Sequence, residues 1–219
     1  MTNELTENTK RPYMDANATY YKQYLQHLLD YSDILEQALY EHLKEFHEWV
    51  EKEASKLPEE DREGFYQYFG EDEWVISEIF PNILNSSLFL MCYSFLEAEL
   101  VRLCKLLCQQ KGLSPSYDEF HEKGNDLQKT HQYLKKVAGL SFPDNTPEWQ
   151  EINDWTRLRN VLVHNEGKLD SSKRSDQVRN YITRTTSLDV DHSGHIRFSV
   201  SFYVHVIVTL NQLLDSIYK

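Results

Sequence analysis

Arg159, Asn160 and His164 lie within six residues of one another and are of types that work together. Histidine changes charge near neutrality and can take or give a proton. Arginine stays charged and can hold two oxygens of a phosphate at once. Asparagine can orient the same phosphate or fix an imidazole tautomer. Cleavage of a phosphodiester by its neighbouring 2′-hydroxyl calls for this set. A proton must leave that hydroxyl, another must reach the departing 5′-oxygen, and the charge building on phosphorus must be stabilised. Such chemistry requires no metal and no other cofactor.

A helix is expected to carry the three residues. Thr146-Pro147-Glu148 reads as an N-cap threonine, a proline at the first position and an acid in the first turn. The helix runs to about Asn165, and Gly167 can end it. At 3.6 residues per turn, Trp155, Leu158 and Leu162 form the core stripe. Asn160 and His164, four apart, share a face roughly opposite, with Arg157 beside them. Arg159 falls on the flank, about 140° from His164. To share a site with His164, its side chain must sweep round, or a second subunit must bring the two together.

Charge adds weight to this stretch. The chain has a net charge of −12, which excludes a globally basic nucleic-acid binder. Between Arg157 and Arg184, however, seven basic residues face three acids. The only strongly basic stretch of an acidic chain thus surrounds His164. Arg157, Lys168, Lys173, Arg174 and Arg179 are the expected RNA-binding residues, in the manner of a local phosphate-binding surface.

Few breakers (7 Gly, 6 Pro) and abundant helix formers predict an all-α fold. Residues 1–12 read as a disordered N-terminus and 13–219 as a single helical domain. A long first helix from Asp15 to about Ser55 carries Tyr21, Leu25, Leu28, Leu35, Leu39, Leu43, Phe46 and Val50 at helical spacing. A short helix should follow from Glu59 to Phe69 and stop near Gly70. A central helix from Glu71–Trp74 to about Gln110 should be kinked or divided at Pro81. Further helices are expected over Leu127–Val137, Ser171–Thr185 and Phe202–Tyr218. Alternating Leu188, Val190, Ile196, Phe198 and Val200 around Asp191-His192-Ser193-Gly194 predict a small β-hairpin near the C-terminus.

The remaining candidates read as structural. Cys92, Cys104 and Cys108 form no disulfide framework and suit a reducing, cytoplasmic setting. The uncharged run from Ile79 to Leu96 holds too many Asn and Ser residues for a membrane span. His192 and His195 read as turn residues rather than metal ligands, and His42 and His47 as surface. The aromatics of the first helix read as core.

Arg159-Asn160-Val161-Leu162-Val163-His164, at the end of a helix in an all-helical chain, resembles the signature of the HEPN superfamily: an arginine, a short spacer and a histidine. Tyr93-Ser94-Phe95-Leu96-Glu97-Ala98-Glu99-Leu100 resembles the acidic helix of bacterial members. Leu134-Lys135-Lys136, Phe142-Pro143-Asp144 and Trp149 resemble the approach to the motif. The resemblance covers roughly residues 80–218. It implies a helical bundle that dimerises, with both motif helices meeting in one RNA cleft. It implies Arg159 and His164 as catalytic, Asn160 as a supporting polar group and Glu97 as an acidic partner. Glu97 keeps a second reading, an ion pair with Arg102 or with an arginine on another helix.

The implied activity is a metal-independent endoribonuclease serving as a toxin or in defence against phage, with a cognate antitoxin or defence-system partner. The alternative is a non-catalytic module that binds a protein partner or regulates one. Glu166 stands where members paired with a nucleotidyltransferase antitoxin carry a tyrosine, so the likeness does not extend to that pairing.

Overall fold

The computed structural model describes residues 12–218, with side chains from Thr19 onward. The expectation of disorder over residues 1–12 lies outside these residues, save for Pro12, which opens the first helix. Among the described residues the order is α1 (Pro12–Ala54), α2 (Glu59–Trp74), a π-helical turn (Val75–Ile79), α3 (Phe80–Lys111), α4 (Asp126–Lys136), α5 (Pro147–Asn165), α6 (Lys173–Thr183), β1 (Leu188–Val190), β2 (Ile196–Phe198) and α7 (Val200–Tyr218). The chain is therefore mostly helical. The expected hairpin is present, antiparallel, with Leu188 opposite Phe198 and Val190 opposite Ile196.

Two compact units are formed. The first takes the described residues through Gln26, then Met91–Arg159 and the chain from His205. Its core is aromatic and aliphatic, with Tyr21, Leu96, Leu100, Tyr133, Ile152, Trp155, Leu210 and Leu214 fully buried. Tyr24 stacks on Phe95 and Tyr21 on Tyr218. Among the described residues of this unit, Glu99 is the buried ionic group. Glu99 is 2% exposed, and it accepts from the Arg102 guanidinium at 2.5 and 2.9 Å and from the Tyr218 hydroxyl. A buried carboxylate is tolerated only with partners of this kind.

The second unit comprises His27–Leu90 and Asn160–Val204. Here two asparagines of the run that reads as too polar for a membrane span tie down the hairpin. Asn82 accepts from the Phe198 N–H at 2.8 Å and donates to the Ile196 carbonyl at 3.2 Å; Asn85 donates to the Phe198 carbonyl at 3.3 Å. Phe89 packs against Phe198 and Phe202.

Three expectations are corrected. Gly70 does not stop a helix: α2 runs through it to Trp74. One interior glycine costs about 1 kcal/mol relative to alanine, which a continuing helix absorbs. Pro81 does not sit at a kink within an α-helix. The distortion lies just before it, in the π-helical turn Val75–Ile79. The proline ring clashes with the carbonyl four residues back and brings no N–H, and the wider turn relieves that crowding. Third, the aromatics of α1 are not all core, because Tyr20, Tyr31, Tyr40 and Trp49 are exposed.

By length and composition alone, Glu59–Lys111 and Val200–Tyr218 would each suffice to cross a membrane, although 39% and 50% of their most apolar windows are buried inside the fold. Cys92 and Cys104 are buried and free, and burial pushes both thiols up to about 12.

Candidate functional site

Helix α5 begins as its sequence indicates. The Thr146 hydroxyl accepts from the Trp149 N–H at 3.3 Å, and Pro147 opens the first turn. Its core positions are Ile152, Trp155, Leu158 and Val161; Leu162, expected in that stripe, is only half-buried. The C-terminal end is shaped by two left-handed residues, Glu166 (φ 52°) and Gly167 (φ 79°). The Gly167 N–H reaches back to the Val161 carbonyl at 3.2 Å, and the Lys168 N–H to Asn165 at 2.8 Å. This reversal directs the next segment along the hairpin. Lys168 bridges to His195, the Leu169 N–H donates to Gly194, and the Ile196 N–H donates to Gly167.

The chain then starts α6 through a serine cap. Ser172 accepts from the Ser175 N–H at 3.3 Å. The Asp170 carboxylate accepts from the Ser172 N–H (3.0 Å) and from the hydroxyls of Ser172 (2.6 Å) and Ser175 (2.5 Å). These bonds stabilise the charged form and hold the carboxyl down at about 2. Between the end of α5 and the start of α6 lies a cavity of about 430 Å³. Asn160, His164 and Asn165 line it from α5; Asp170, Lys173 and Arg174 line it from the other segment. His164, Lys173 and Arg174 are exposed.

Not every expected site residue joins this group. Arg159 does not line the cavity; its charge acts on Glu97 and on Tyr93. Burial raises the carboxyl of half-buried Glu97, and the Arg159 charge works against that rise. Arg102, one arginine expected to pair with Glu97, is bonded to Glu99; Arg159, an arginine on another helix, is one whose charge acts on Glu97. Tyr93 belongs to the same neighbourhood. Its hydroxyl is hydrogen-bonded to Thr156 at 2.9 Å, and burial pushes it up to about 12.

Arg157 pairs with Asp154 at 2.6 Å and donates to the Asn153 carbonyl. Arg179 donates to the Leu169 carbonyl at 3.4 Å, bracing the segment that leads into the cavity. Lys168 is exposed beside the hairpin. Of the five expected RNA-binding residues, Lys173 and Arg174 are the two that line the cavity.

Asp170, Ser172 and Asn165 were missed as site residues. The run Asp170-Ser171-Ser172 carries a helix-start signal, which locates the cap without revealing what it faces. His195 is hydrogen-bonded through Nδ1 to the Ser193 hydroxyl at 2.7 Å, and His192 is exposed. Among the described residues no three His, Cys, Asp or Glu side chains are grouped to hold a metal ion.

The cavity can thus do two things chemically. Its imidazole can exchange protons with a bound group, and its two cations can hold an anion whose position the local amides refine. No protein-family model, curated protein or solved structure matches this chain.

Proposed function

We propose that this protein is an endoribonuclease that cleaves RNA by attack of the 2′-hydroxyl, without a metal. The observation that carries the reading is the cavity in which His164 and Asn160 stand with Lys173 and Arg174. Lys173 and Arg174 hold phosphates along the strand. His164 moves the proton of one step: it takes it from the 2′-hydroxyl as the 2′-oxygen attacks phosphorus, or gives it to the 5′-oxygen as that bond breaks. The products are a 2′,3′-cyclic phosphate and a free 5′-hydroxyl. Asn160 orients the phosphate.

The resemblance to HEPN proteins supports a HEPN-like bundle acting as a cytoplasmic homodimer, in a toxin or phage-defence role with a cognate partner. Dimerisation gives Arg159 a place in this reading. The partner's Arg159 can stabilise the phosphorane charge that His164 of the first copy helps to create. The test is cleavage of a fluorescent RNA in EDTA by wild type and by His164→Ala. Cutting by the wild type alone supports the reading; equal cutting by both sinks it.

A second reading, a non-catalytic binding module, is favoured by one observation. Helix α2 buries no residue, carries seven acids, and exposes Tyr66, Tyr68 and Trp74. An acidic, aromatic helix suits a basic protein partner. A stable hetero-complex together with no RNA cleavage and no toxicity on expression would favour this reading.

A further inference from the structure

The second unit holds another cavity, of about 260 Å³, which shares no residue with the His164 cavity. Its apolar wall is built from Leu39 and Leu43 of α1, Ile76 of the π-helical turn, and Pro81 and Leu84 of α3, and Tyr40 and Ser77 also line it. The π-helical turn is itself a pointer, because such turns often accompany functional sites. Pro81 brings no N–H to this wall.

Beside the hydroxyls of Tyr40 and Ser77, two of the polar groups here present acceptors. Asn85 lines the cavity and is 2% exposed. Its amide nitrogen is committed to the Phe198 carbonyl, which fixes which end of the amide is oxygen. That oxygen, Asn85 Oδ1, is buried with no hydrogen-bond partner among the described residues. An unmade buried acceptor is expensive, and a leucine would fill the position without that cost. Glu36 also lines the cavity. Its Oε1 accepts from the Tyr203 hydroxyl at 3.0 Å, and Tyr203 in turn accepts from Ser32 at 2.8 Å. The carboxylate is thereby held in place, and a carboxylate has more acceptor capacity than one such bond uses.

An aliphatic wall, a buried orphan acceptor and an anchored carboxylate complement one ligand chemistry. The geometry points to a binding site for a small amphipathic amine, with its apolar body against Leu39, Leu43 and Leu84, an N–H given to Asn85 Oδ1, and its positive charge set against Glu36. The cavity volume limits the occupant to a compact molecule. This assignment does not depend on the nature of the His164 cavity.

The test uses the full chain with labelled Leu and Ile methyl groups, titrated separately with hexylamine, hexanol and hexanoate. Saturable shifts at Leu39, Leu43, Ile76 and Leu84 are expected with hexylamine. Hexanol is expected to bind roughly tenfold more weakly, the loss of one charge-assisted hydrogen bond, and hexanoate not to saturate. Glu36→Gln should bring the amine and the alcohol to within about twofold of each other.

Asn85→Leu should weaken hexylamine, and Leu84→Trp, which fills the cavity, should abolish binding while thermal melting shows the variant folded. If the tryptophan variant does not fold, Asn85→Leu decides, and unchanged hexylamine affinity in it overturns the assignment. No saturable shift with any probe, hexanoate or hexanol binding as well as hexylamine, or undiminished binding in folded Leu84→Trp each overturn it as well.

Discussion

Asn160 and His164 stand one helical turn apart on α5 and line the same cavity. His164 is exposed and carries no core packing. His164→Ala should therefore leave stability within about 0.5 kcal/mol. RNA cleavage should fall on the order of 10²–10⁴-fold, the usual worth of a general acid or base. Urea melts and the initial rate on a fluorescent oligoribonucleotide check both halves. A large loss of stability would mean that His164 is a structural residue.

Lys173 and Arg174 enter the cavity from the first turn of α6. Each is expected to contribute about one unit to the salt dependence of RNA binding. Lys173→Ala and Arg174→Ala should weaken binding at low salt, with the slope of log affinity against log salt shallower by about one in each. Arg157→Ala should change that slope less, because its guanidinium is engaged by Asp154. Filter binding across a salt series distinguishes them.

Asp170 sets a negative charge against those cations. Its carboxyl falls from 3.8 to about 2 through hydrogen bonds from Ser172 and Ser175. A folded-state value below the unfolded one gives stability that is present above the unfolded value and lost as pH falls through the folded value. The loss should therefore develop from about pH 4 down to about pH 2. Asp170→Asn should flatten this limb in acid-denaturation curves. With one anionic charge removed from the cavity, it should also tighten RNA binding by roughly twofold to tenfold at low salt.

For Glu97 the sign is reversed. Burial raises its carboxyl, and Arg159 opposes that rise. A raised folded-state value gives stability that is present below the unfolded carboxylate value and lost as pH rises through the folded one. Glu97→Gln should remove that loss, so the variant gains on wild type as pH rises through the carboxylate range. Arg159→Ala should cost more with Glu97 present than in the Glu97→Gln background, a coupling of about 1 kcal/mol in a double-mutant cycle. Strict additivity would show that the two side chains do not interact.

Glu99 is the buried anion of the first unit, and both Arg102 and Tyr218 bond to it. Glu99→Leu leaves those two groups without their acceptor and should destabilise the fold by about 3 kcal/mol. Chemical denaturation measures it. A neutral outcome would show that Arg102 and Tyr218 find water instead.

Several features were legible in the sequence because their causes are local. Thr146 and Pro147 start α5, and Gly167 follows its end with a positive φ, each acting within one turn of itself. The Asp191–Gly194 turn set the hairpin between two alternating runs, and Asp191 accepts from the N–H groups of Ser193 and His195. The pairing of Asn160 with His164 follows from helical periodicity alone. By contrast, the break expected at Gly70 rested on a local signal too weak to end a helix, and the strain of Pro81 was taken up one turn earlier than the proline itself.

Tertiary structure decided the rest. It set the charge of Arg159 on α5 against Glu97 on α3, an approach that sequence spacing does not encode, whereas Arg157 with Asp154 and Arg102 with Glu99 are pairs three residues apart on one helix. It also brought Asp170, Lys173 and Arg174 to the end of α5. That approach depends on the reversal at Glu166 and Gly167 and on the hydrogen bonds that stitch Leu169 to Gly194 and Gly167 to Ile196. A helix period specifies which side chains share a face; only the folded chain specifies what that face meets.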